Sequence, residues 1–451
     1  MIKPKTHKRK KREASSTQRT LPPQNPHSQE KLTSATQADF GARVSRRAAD
    51  RLRAGHVWVY SSDIEFTELA AASAEPPALL PVADYRGVLL GTALYSPTSQ
   101  IALRLISREA IRETEWLNLL QERLKAAIER RMAALQAPKG ENDSCRLCFS
   151  EADELPGLVI DKYDDLVIVQ LLTKGLDSPA VRDQIVSVLR EQINPSTILE
   201  RPDPRIRELE GMSAPSPAPL YAVDPAHPLT ATQFQLNGLK FHYDANAGQK
   251  TGAFLDQHAN YKAAADWARI LSPGGRALDV CTYQGGFALH LARVSNHVTG
   301  IDSSRASLEV AERNLAANRD QLRSNVQVDW LEADAFTVLR DWAAAKERFD
   351  TIVLDPPAFA KSKRAVEGAL RGYKELNLRA MQMLKPHGLL VTCSCSHHVS
   401  LSDFEAIVAA AAADAHRRVR LLERRGAAPD HPVILNIPET EYLKCLILEV
   451  E

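Results

Sequence analysis

The sequence predicts an α/β fold, with a doubly wound parallel sheet in the C-terminal half, a small β-barrel near the N-terminus and a mixed α+β segment between them. Residues 277–286 predict a buried strand followed by a tight turn into a helix. Three more strands follow, and they deliver Asp302, Asp334 and Asp355 at their carboxyl ends. Because open α/β sheets bind ligands at the carboxyl ends of their strands, this ordered set also predicts a binding site.

The turn after the first of these strands separates two classes of cofactor. A nicotinamide enzyme uses Gly-x-Gly-x-x-Gly spacing to approach a pyrophosphate, whereas this chain has only the adjacent pair Gly285 and Gly286. A phosphate-free ligand such as S-adenosylmethionine (SAM) fits better. In that case Asp279 faces the sulfonium and the amino-acid end of SAM, Asp302 binds the ribose hydroxyls, and Asp334 meets the adenine amine.

Length and composition are those of an ordinary globular protein of two or three domains. The chain has 451 residues, of which 44% are hydrophobic and 25% charged, and its net charge of +1 neither indicates nor excludes a nucleic acid partner. No apolar run approaches the roughly 18 residues that cross a bilayer, so no membrane partner is expected. The six cysteines indicate reduced thiols in a cytoplasm. Cys145 and Cys148 have the spacing of half a zinc knuckle but lack a second pair, which favours buried strand cysteines.

The N-terminal residues 1–40 predict a disordered basic tail. Residues 3–12 contain seven lysines and arginines and no acid, followed by Ser-, Gln- and Pro-rich sequence that has too little apolar surface to fold. Such a tail adds salt-sensitive affinity for RNA or DNA phosphates. A solubilising extension or a misassigned start is the alternative.

Three folded domains are expected after the tail. Residues 41–111 contain short alternating strands typical of a small β-barrel. Residues 112–245 begin with a helical period and continue as a mixed α+β domain, in which the proline-rich stretch 202–228 is expected to be a connection outside the core. Residues 246–451 carry the doubly wound pattern. Basic residues cluster at the start of the barrel: Arg43, Arg46, Arg47, Arg51 and Arg53.

A thiol at a strand end suggests the reaction. Residues 389–396 predict a strand that carries Cys393 and then Cys395 to the same edge as the acids, and Cys395 is the candidate nucleophile. Addition of a thiolate to carbon 6 of a cytosine activates carbon 5 toward a methyl donor, while Asp355 hydrogen-bonds or protonates the N3 side. Two alternatives stay open: methylation of a base nitrogen positioned by Asp355-Pro-Pro357, and a non-catalytic RNA-binding module.

Several motifs together resemble the bacterial 23S ribosomal RNA cytosine-C5 methyltransferase family, from about Val44 to the C-terminus. They are Gln249-Lys-Thr-Gly252, Phe254-Leu-Asp-Gln257, Leu278-Asp-Val-Cys-Thr-Tyr-Gln-Gly-Gly-Phe287, Asp355-Pro-Pro-Ala-Phe359, Arg371-Gly-Tyr-Lys374, Cys393-Ser-Cys-Ser396, Asp430-His-Pro-Val433 and Glu441-Tyr-Leu-Lys444. The resemblance implies an N-terminal PUA RNA-binding domain, a central α+β domain and a Rossmann-like class I methyltransferase domain.

The same resemblance implies the site and the partner. Cys395 is the nucleophile, and the cofactor site adds Thr251, Gln257, Tyr283 and the two glycines to the acids named above. The motif Asp355-Pro-Pro-Ala358 lacks the second cysteine that other RNA cytosine methyltransferases use for release, so another base must act. The expected substrate is 23S rRNA, protein-poor or in an early assembly intermediate, in the cytoplasm. A homodimer is left open.

Overall fold

The computed structural model describes residues 41–67, 78–135, 141–246, 254–360 and 362–451. The predicted tail and Thr251 lie outside these ranges. Within them, the strands form three larger sheets and one two-stranded hairpin. None of the described helices contains a segment long and apolar enough to cross a membrane.

The first sheet contains six short strands around one helix. Its elements are β1 (Ala42–Val44), α1 (Arg46–Arg53), β2 (Trp58–Tyr60), β3 (Ile64–Thr67), β4 (Leu79–Ala83), β5 (Leu89–Tyr95) and β6 (Ile101–Ser107). The strand order is β2-β6-β5-β4-β1-β3. Ser45 caps α1 by accepting a hydrogen bond from the Ala48 amide, and α1 buries Ala48, Ala49 and Leu52 against the sheet.

The basic cluster of this region is partly neutralised within the fold. Arg47 and Arg51 each form a 2.9 Å ion pair with the buried carboxylate of Asp63. Arg53 pairs with Asp84 in the same way. These arginines therefore have less free charge to offer a nucleic acid than the sequence alone indicates.

The central region is a five-stranded sheet with two long helices. It comprises α2 (Glu113–Leu135), β7 (Ser144–Phe149), β8 (Leu158–Tyr163), β9 (Leu166–Leu171), α3 (Pro179–Gln192), β10 (Thr197–Glu200), α4 (Pro204–Leu209) and β11 (Tyr221–Ala222). The order is β11-β10-β9-β8-β7. Cys145 and Cys148 are buried in β7 with free thiols, which confirms their interpretation as strand cysteines.

The expectation that residues 202–228 form only a connection was wrong. This stretch includes α4, and Arg207 on α4 is 3% exposed and forms ion pairs with Glu200 at 3.3 Å and Asp177 at 3.5 Å. Glu210 is also buried and binds Arg104 of β6 at 3.0 Å. The sequence did not reveal this contribution to the core. The stretch is rich in proline, and its buried residues form ion pairs, so no regular pattern of hydrophobic residues marks it.

A hairpin and a seven-stranded sheet make up the remainder. The elements are β12 (Ala231–Leu236), β13 (Leu239–Asp244), α5 (His258–Leu271), β14 (Arg276–Val280), α6 (Gly286–Leu291), β15 (His297–Asp302), α7 (Arg305–Ala317), β16 (Gln327–Glu332), α8 (Ala335–Ala344), β17 (Phe349–Leu354), α9 (Val366–Met383), β18 (Leu384–Ser394), α10 (Leu401–Asp414), β19 (Val419–Arg425) and β20 (Lys444–Val450). The order is β16-β15-β14-β17-β18-β20-β19.

This sheet confirms the predicted doubly wound fold. The chain runs outward from β14 through β15 to β16 and then returns to add β17 and β18 on the other side, all in parallel. Leu278 and Ile352 pack toward α9 and α10, while Ala277 and Val353 pack toward α5 and α6. The order reverses between β14 and β17, and such a switch point leaves a crevice at the carboxyl ends of these strands.

Candidate active site

A cavity of about 1210 Å³ opens at the carboxyl ends of β14, β15 and β17. The residues predicted from the sequence that line this cavity are Gln257, Tyr283, Gly286, Asp302, Asp334, Asp355 and Cys395. Asp279 is buried behind the loop that follows β14, Gly285 is buried within that loop, and neither is part of the cavity wall. The structure therefore brings together the strand-end residues that the sequence analysis selected, except for these two and Thr251, which is outside the described residues.

The loop between β14 and α6 has a backbone conformation usually reserved for glycine. Cys281 has φ of 63°, Tyr283 has φ of 52° and Gly285 has φ of 86°. Non-glycine residues in this left-handed region store strain and cluster at functional sites. The Tyr283 amide donates a 2.9 Å hydrogen bond to Asp302, so the end of β15 holds the loop in place.

Asp279 supports this loop from below. One of its oxygens accepts hydrogen bonds from the Thr282 hydroxyl at 2.6 Å and the Ala288 amide at 2.9 Å. Its other oxygen, Oδ1, is buried and has no hydrogen-bond partner among the described residues. Burial raises the pKa of Asp279 to about 7, and the nearby Asp302 adds to this rise. Because Asp279 does not line the cavity, its contact with the charged end of the cofactor stays a prediction.

Asp302 and Asp334 hold defined orientations at the ends of β15 and β16. The carboxylate of Asp302 accepts hydrogen bonds from the amides of Tyr283 and Ser304, both at 2.9 Å, and still faces the cavity. Asp334 caps α8 by accepting from the Thr337 amide at 2.9 Å, which lowers the pKa of Asp334. Each carboxylate retains acceptor capacity for a ribose diol or an amine, as the sequence analysis predicts.

Asp355 lies at the end of β17 in contact with a chain of amides. Gln257 donates a hydrogen bond to its Oδ1 at 2.9 Å, and Asn260 in turn donates to Gln257 at 2.7 Å. Burial, with smaller contributions from the neighbouring Asp256 and Asp279, raises the pKa of Asp355 to about 8. A carboxyl group that is largely protonated at neutral pH can donate a hydrogen bond or a proton into the cavity.

The two cysteines near the end of β18 have different surroundings. Cys393 is buried opposite Cys445 of β20, and the pKa of its thiol is raised well above the ordinary value by this neighbour and by burial. Cys395 follows the last residue of β18 and lines the cavity, with its sulfur 4.0 Å from the carbonyl oxygen of Pro356. Only the second of these thiols is placed to meet a base bound beside Asp355.

The cavity also contains residues to which the sequence analysis gave no role. Asp256 and Tyr442 line it and are hydrogen-bonded to each other through the tyrosine hydroxyl. Arg146 of β7 interacts electrostatically with both. Asp256 and Tyr442 are 186 residues apart, and each lies inside a motif quoted for the resemblance. Membership in these motifs was the signal that could have identified Asp256 and Tyr442. No sequence spacing predicts that the two residues contact each other.

Two regions of the sequence match known protein families. Residues 42–108 match the PUA-like domain, and residues 215–447, more than half of the chain, match the S-adenosylmethionine-dependent methyltransferases. The first match covers the six-stranded sheet, and the second covers the hairpin and nearly all of the seven-stranded sheet. SAM, predicted from the two adjacent glycines, is therefore the cofactor.

Two relatives that align with most of this chain have the same name. The chain is 35% identical over 400 residues to the ribosomal RNA large subunit methyltransferase I of Pseudoalteromonas translucida, an alignment that covers 88% of this chain and 96% of that protein. It is 34% identical over 396 residues to the protein of the same name from Tolumonas auensis, covering 87% and 95%.

Solved structures share the fold. SMU.776, described as a methyltransferase and crystallised with SAH, superposes with a TM-score of 0.73 over 90% of this chain and 99% of that one, at 20% identity. A SAM-dependent methyltransferase described from Streptococcus mutans has the same TM-score and coverage at 19% identity. The identity and coverage of the curated relatives, together with the two family matches, show that this chain belongs to the ribosomal RNA large subunit methyltransferase I family of SAM-dependent methyltransferases.

Proposed function

We propose that this enzyme methylates carbon 5 of a cytosine in 23S ribosomal RNA through a covalent adduct with Cys395. The observation that carries the proposal is the position of this thiol. Cys395 lines the same cavity as Tyr283 and Asp302 of the cofactor site, and its sulfur is 4.0 Å from the backbone of the Asp355-Pro-Pro357 segment. A base that reaches this segment therefore meets the thiol and the cofactor site within one cavity.

The reaction divides into steps that the side chains of this chain support. The Cys395 thiolate forms a bond to carbon 6, and the electrons of the carbon 5–carbon 6 bond become available at carbon 5 and on the N3 side. SAM, when bound, supplies the electrophilic methyl group for carbon 5. Loss of the carbon 5 proton to a base and cleavage of the sulfur–carbon 6 bond restore the aromatic ring and the thiolate.

Asp355 is the proposed acid of this scheme. Because burial raises the pKa of Asp355 to about 8, the carboxyl group carries a proton at neutral pH and can share it with N3 as negative charge accumulates there. The hydrogen bond from Gln257 orients the carboxyl group without removing its proton. We assign Gln257 here a positioning role in addition to the predicted contact with the cofactor.

The cofactor contacts are proposed as the sequence predicts them. Asp302 binds the ribose, Asp334 the adenine amine, and Tyr283, Gly285 and Gly286 form the loop beneath the amino-acid end. The domain limits at residues 41–111, 112–245 and 246–451 are part of this proposal. The first domain binds RNA, and the names of the relatives support the large-subunit RNA as substrate. This substrate agrees with the cytoplasmic location expected from the sequence.

Trapping of the adduct tests the function. In RNA that carries 5-fluorocytidine at the target, elimination at carbon 5 is blocked, so the wild-type enzyme should stay covalently attached through denaturing electrophoresis in the presence of SAM. Cys393→Ala is the matched control and should form the adduct, because this thiol does not line the cavity. Cys395→Ala should form none and should lose methylation while it still binds SAM.

Two results would overturn the proposal. Full methylation by Cys395→Ala would show that no thiol adduct is needed. Methylated RNA without a trapped adduct in the wild-type enzyme would favour methylation of a base nitrogen held by Asp355-Pro-Pro357. Mass spectrometry of the modified nucleoside distinguishes carbon 5 from a nitrogen position.

A further inference from the structure

A buried lysine lies beside the candidate nucleophile. Lys444 is the first residue of β20 and pairs in register with Ser394 of β18, the residue that precedes Cys395. Lys444 is only 5% exposed. Lysine is rarely buried to this extent without groups that compensate its charge. Its neighbours therefore indicate what the ammonium group does.

The hydrogen bonds of Lys444 hold the chain on both sides of the thiol site. Its Nζ donates to the carbonyl oxygen of Ser396 at 2.7 Å and to that of Tyr442 at 2.8 Å. Both acceptors are neutral, so they orient the ammonium but do not cancel its charge. The strongest charge interaction of Lys444 is with the Cys395 sulfur, followed by Glu441.

We propose that Lys444 is a positioning residue for Cys395, which holds the turn after β18 through the Ser396 carbonyl and supplies the positive charge that stabilises the Cys395 thiolate. The proposal rests on the proposed function, in which Cys395 is the nucleophile. It extends that function by assigning a source for the activation of the thiol.

A second side chain, Tyr373, holds the same turn without a charge, so the charge of Lys444 can be distinguished from its structural role. The Tyr373 hydroxyl of α9 is 2.9 Å from the hydroxyls of both Ser394 and Ser396, the two residues that flank Cys395. The turn is thus held from α9 as well as from β20. Because the tyrosine is neutral, the lysine is the one of these two anchors that brings a charge to this turn.

The protonation states of the neighbouring groups agree with this assignment. Burial lowers the pKa of Lys444 to about 8, while Cys395 and Glu441 act in the opposite direction. The amine is therefore mostly protonated at pH 7. Desolvation lowers the pKa of His397 and raises that of Tyr373, so both are neutral at this pH. Of these three groups, Lys444 is then the one that carries a positive charge at this pH.

The charge is useful in both halves of the reaction. Before attack, the proton of the Cys395 thiol leaves to water, and the thiolate forms an ion pair with the ammonium. When the sulfur–carbon 6 bond forms, negative charge leaves the sulfur for the ring. When that bond breaks, the charge returns to the sulfur beside Lys444, so the same group also favours release of the product.

Alkylation by iodoacetamide tests the proposal without the reaction itself. The rate at Cys395 is followed by peptide mass spectrometry from pH 5.5 to 9.5 in the full-length wild-type enzyme, Lys444→Met, Lys444→Arg and Lys385→Met. Lys385 is the second residue of β18, at the end of that strand far from Cys395, and pairs with the half-buried Asp350 carboxylate at 2.9 Å, so Lys385→Met is a matched control. SAM binding checks that each variant is folded, and Lys444→Gln replaces Lys444→Met if the latter does not fold.

The expected result is specific to charge. Lys444→Met should alkylate about tenfold more slowly at pH 7, with the midpoint of its profile moved to higher pH, because the thiolate is the reactive form. Lys444→Arg and Lys385→Met should keep the wild-type profile. A wild-type profile in Lys444→Met, or in Lys444→Gln, overturns the assignment of Lys444. Failure of the wild-type enzyme to form the 5-fluorocytidine adduct overturns the proposed function instead, whatever the alkylation profiles are.

Discussion

The carboxyl groups at or near the carboxyl ends of the strands have different surroundings. Asp302 is held by two backbone amides and faces the cavity, Asp355 is held by a glutamine, and Asp279 is enclosed behind a loop. All three were predictable from the sequence, because each lies at or near the carboxyl end of a predicted strand. Which oxygen faces a ligand and which faces the protein depends on the turn that follows, and strand patterns contain no information about that turn.

Asp302→Ala should weaken the binding of SAM by about 2–3 kcal/mol, because two ribose hydrogen bonds to a charged acceptor are lost. Isothermal titration calorimetry measures the change. Asp329→Ala is the control, since Asp329 is also in this sheet but is exposed and pairs with His297. Equal affinity in Asp302→Ala and the wild-type enzyme would rule out the ribose contact.

Asp355→Asn should change how stability depends on pH. Burial raises the pKa of Asp355 to about 8 in the folded protein, whereas the unfolded value is about 4. Between these values the folded state binds the extra proton, so the free energy of unfolding falls as pH rises, by up to about 1.4 kcal/mol per unit from this group. Asparagine removes this contribution.

Urea denaturation from pH 5 to pH 8 checks this expectation. The difference in unfolding free energy between Asp355→Asn and the wild-type enzyme should move steadily in favour of the variant as pH rises. Parallel curves for the two proteins would mean that Asp355 is ionised throughout this range.

At the scale of elements, the turn from β14 to α6 determines the cofactor site. The apolar runs of β14, β15 and β17 made the strands predictable from sequence, and their bounds agree with the structure to within a few residues. The left-handed conformations of Cys281 and Tyr283 were not predictable, because neither residue type favours them. The Tyr283 amide is held by Asp302 at the end of β15, a contact with another part of the chain that the local sequence does not reveal.

Gly286→Ala should destabilise the protein by about 1–3 kcal/mol and weaken SAM binding, because an added Cβ would lie 2.5 Å from Cζ of the buried Tyr261. Gly368→Ala is a matched control on α9. There the new Cβ meets only a terminal nitrogen of Arg371 at 3.9 Å, so alanine should be neutral or stabilising. Thermal denaturation of both variants measures this contrast, and equal melting temperatures would contradict it.

At the scale of the whole molecule, the order of the domains was predictable and their connections were not. The change from short strands to a helical period and then to the doubly wound pattern is visible in the sequence. The contacts between these regions join residues far apart, such as Arg104 with Glu210 and Arg131 with the Asp430 carbonyl 299 residues away. Such contacts are polar and lack any periodic signal, so a single sequence does not reveal them.

Deletion of residues 1–39 should flatten the salt dependence of RNA binding. Residues 3–12 of the tail contain seven lysines and arginines, whereas Arg47, Arg51 and Arg53 of α1 are already paired with Asp63 and Asp84. Each phosphate contact contributes about one unit to the slope of log affinity against log salt. Filter binding of 23S rRNA fragments between 50 and 300 mM salt, which is roughly the useful range, tests this. An unchanged slope would indicate that the tail is a solubilising extension that does not contact RNA phosphates.

The PUA-like domain is joined to the rest of the molecule by specific polar contacts. Trp58 donates to Glu151 at 2.8 Å, Arg104 binds Glu210 at 3.0 Å, and the side chains of His56 and Glu439 are 3.2 Å apart. The distance between an RNA held by that domain and the thiol of Cys395 is consequently set by the protein. Under the proposed function, the target nucleotide is then defined by its distance from the RNA bound at that domain as well as by its base.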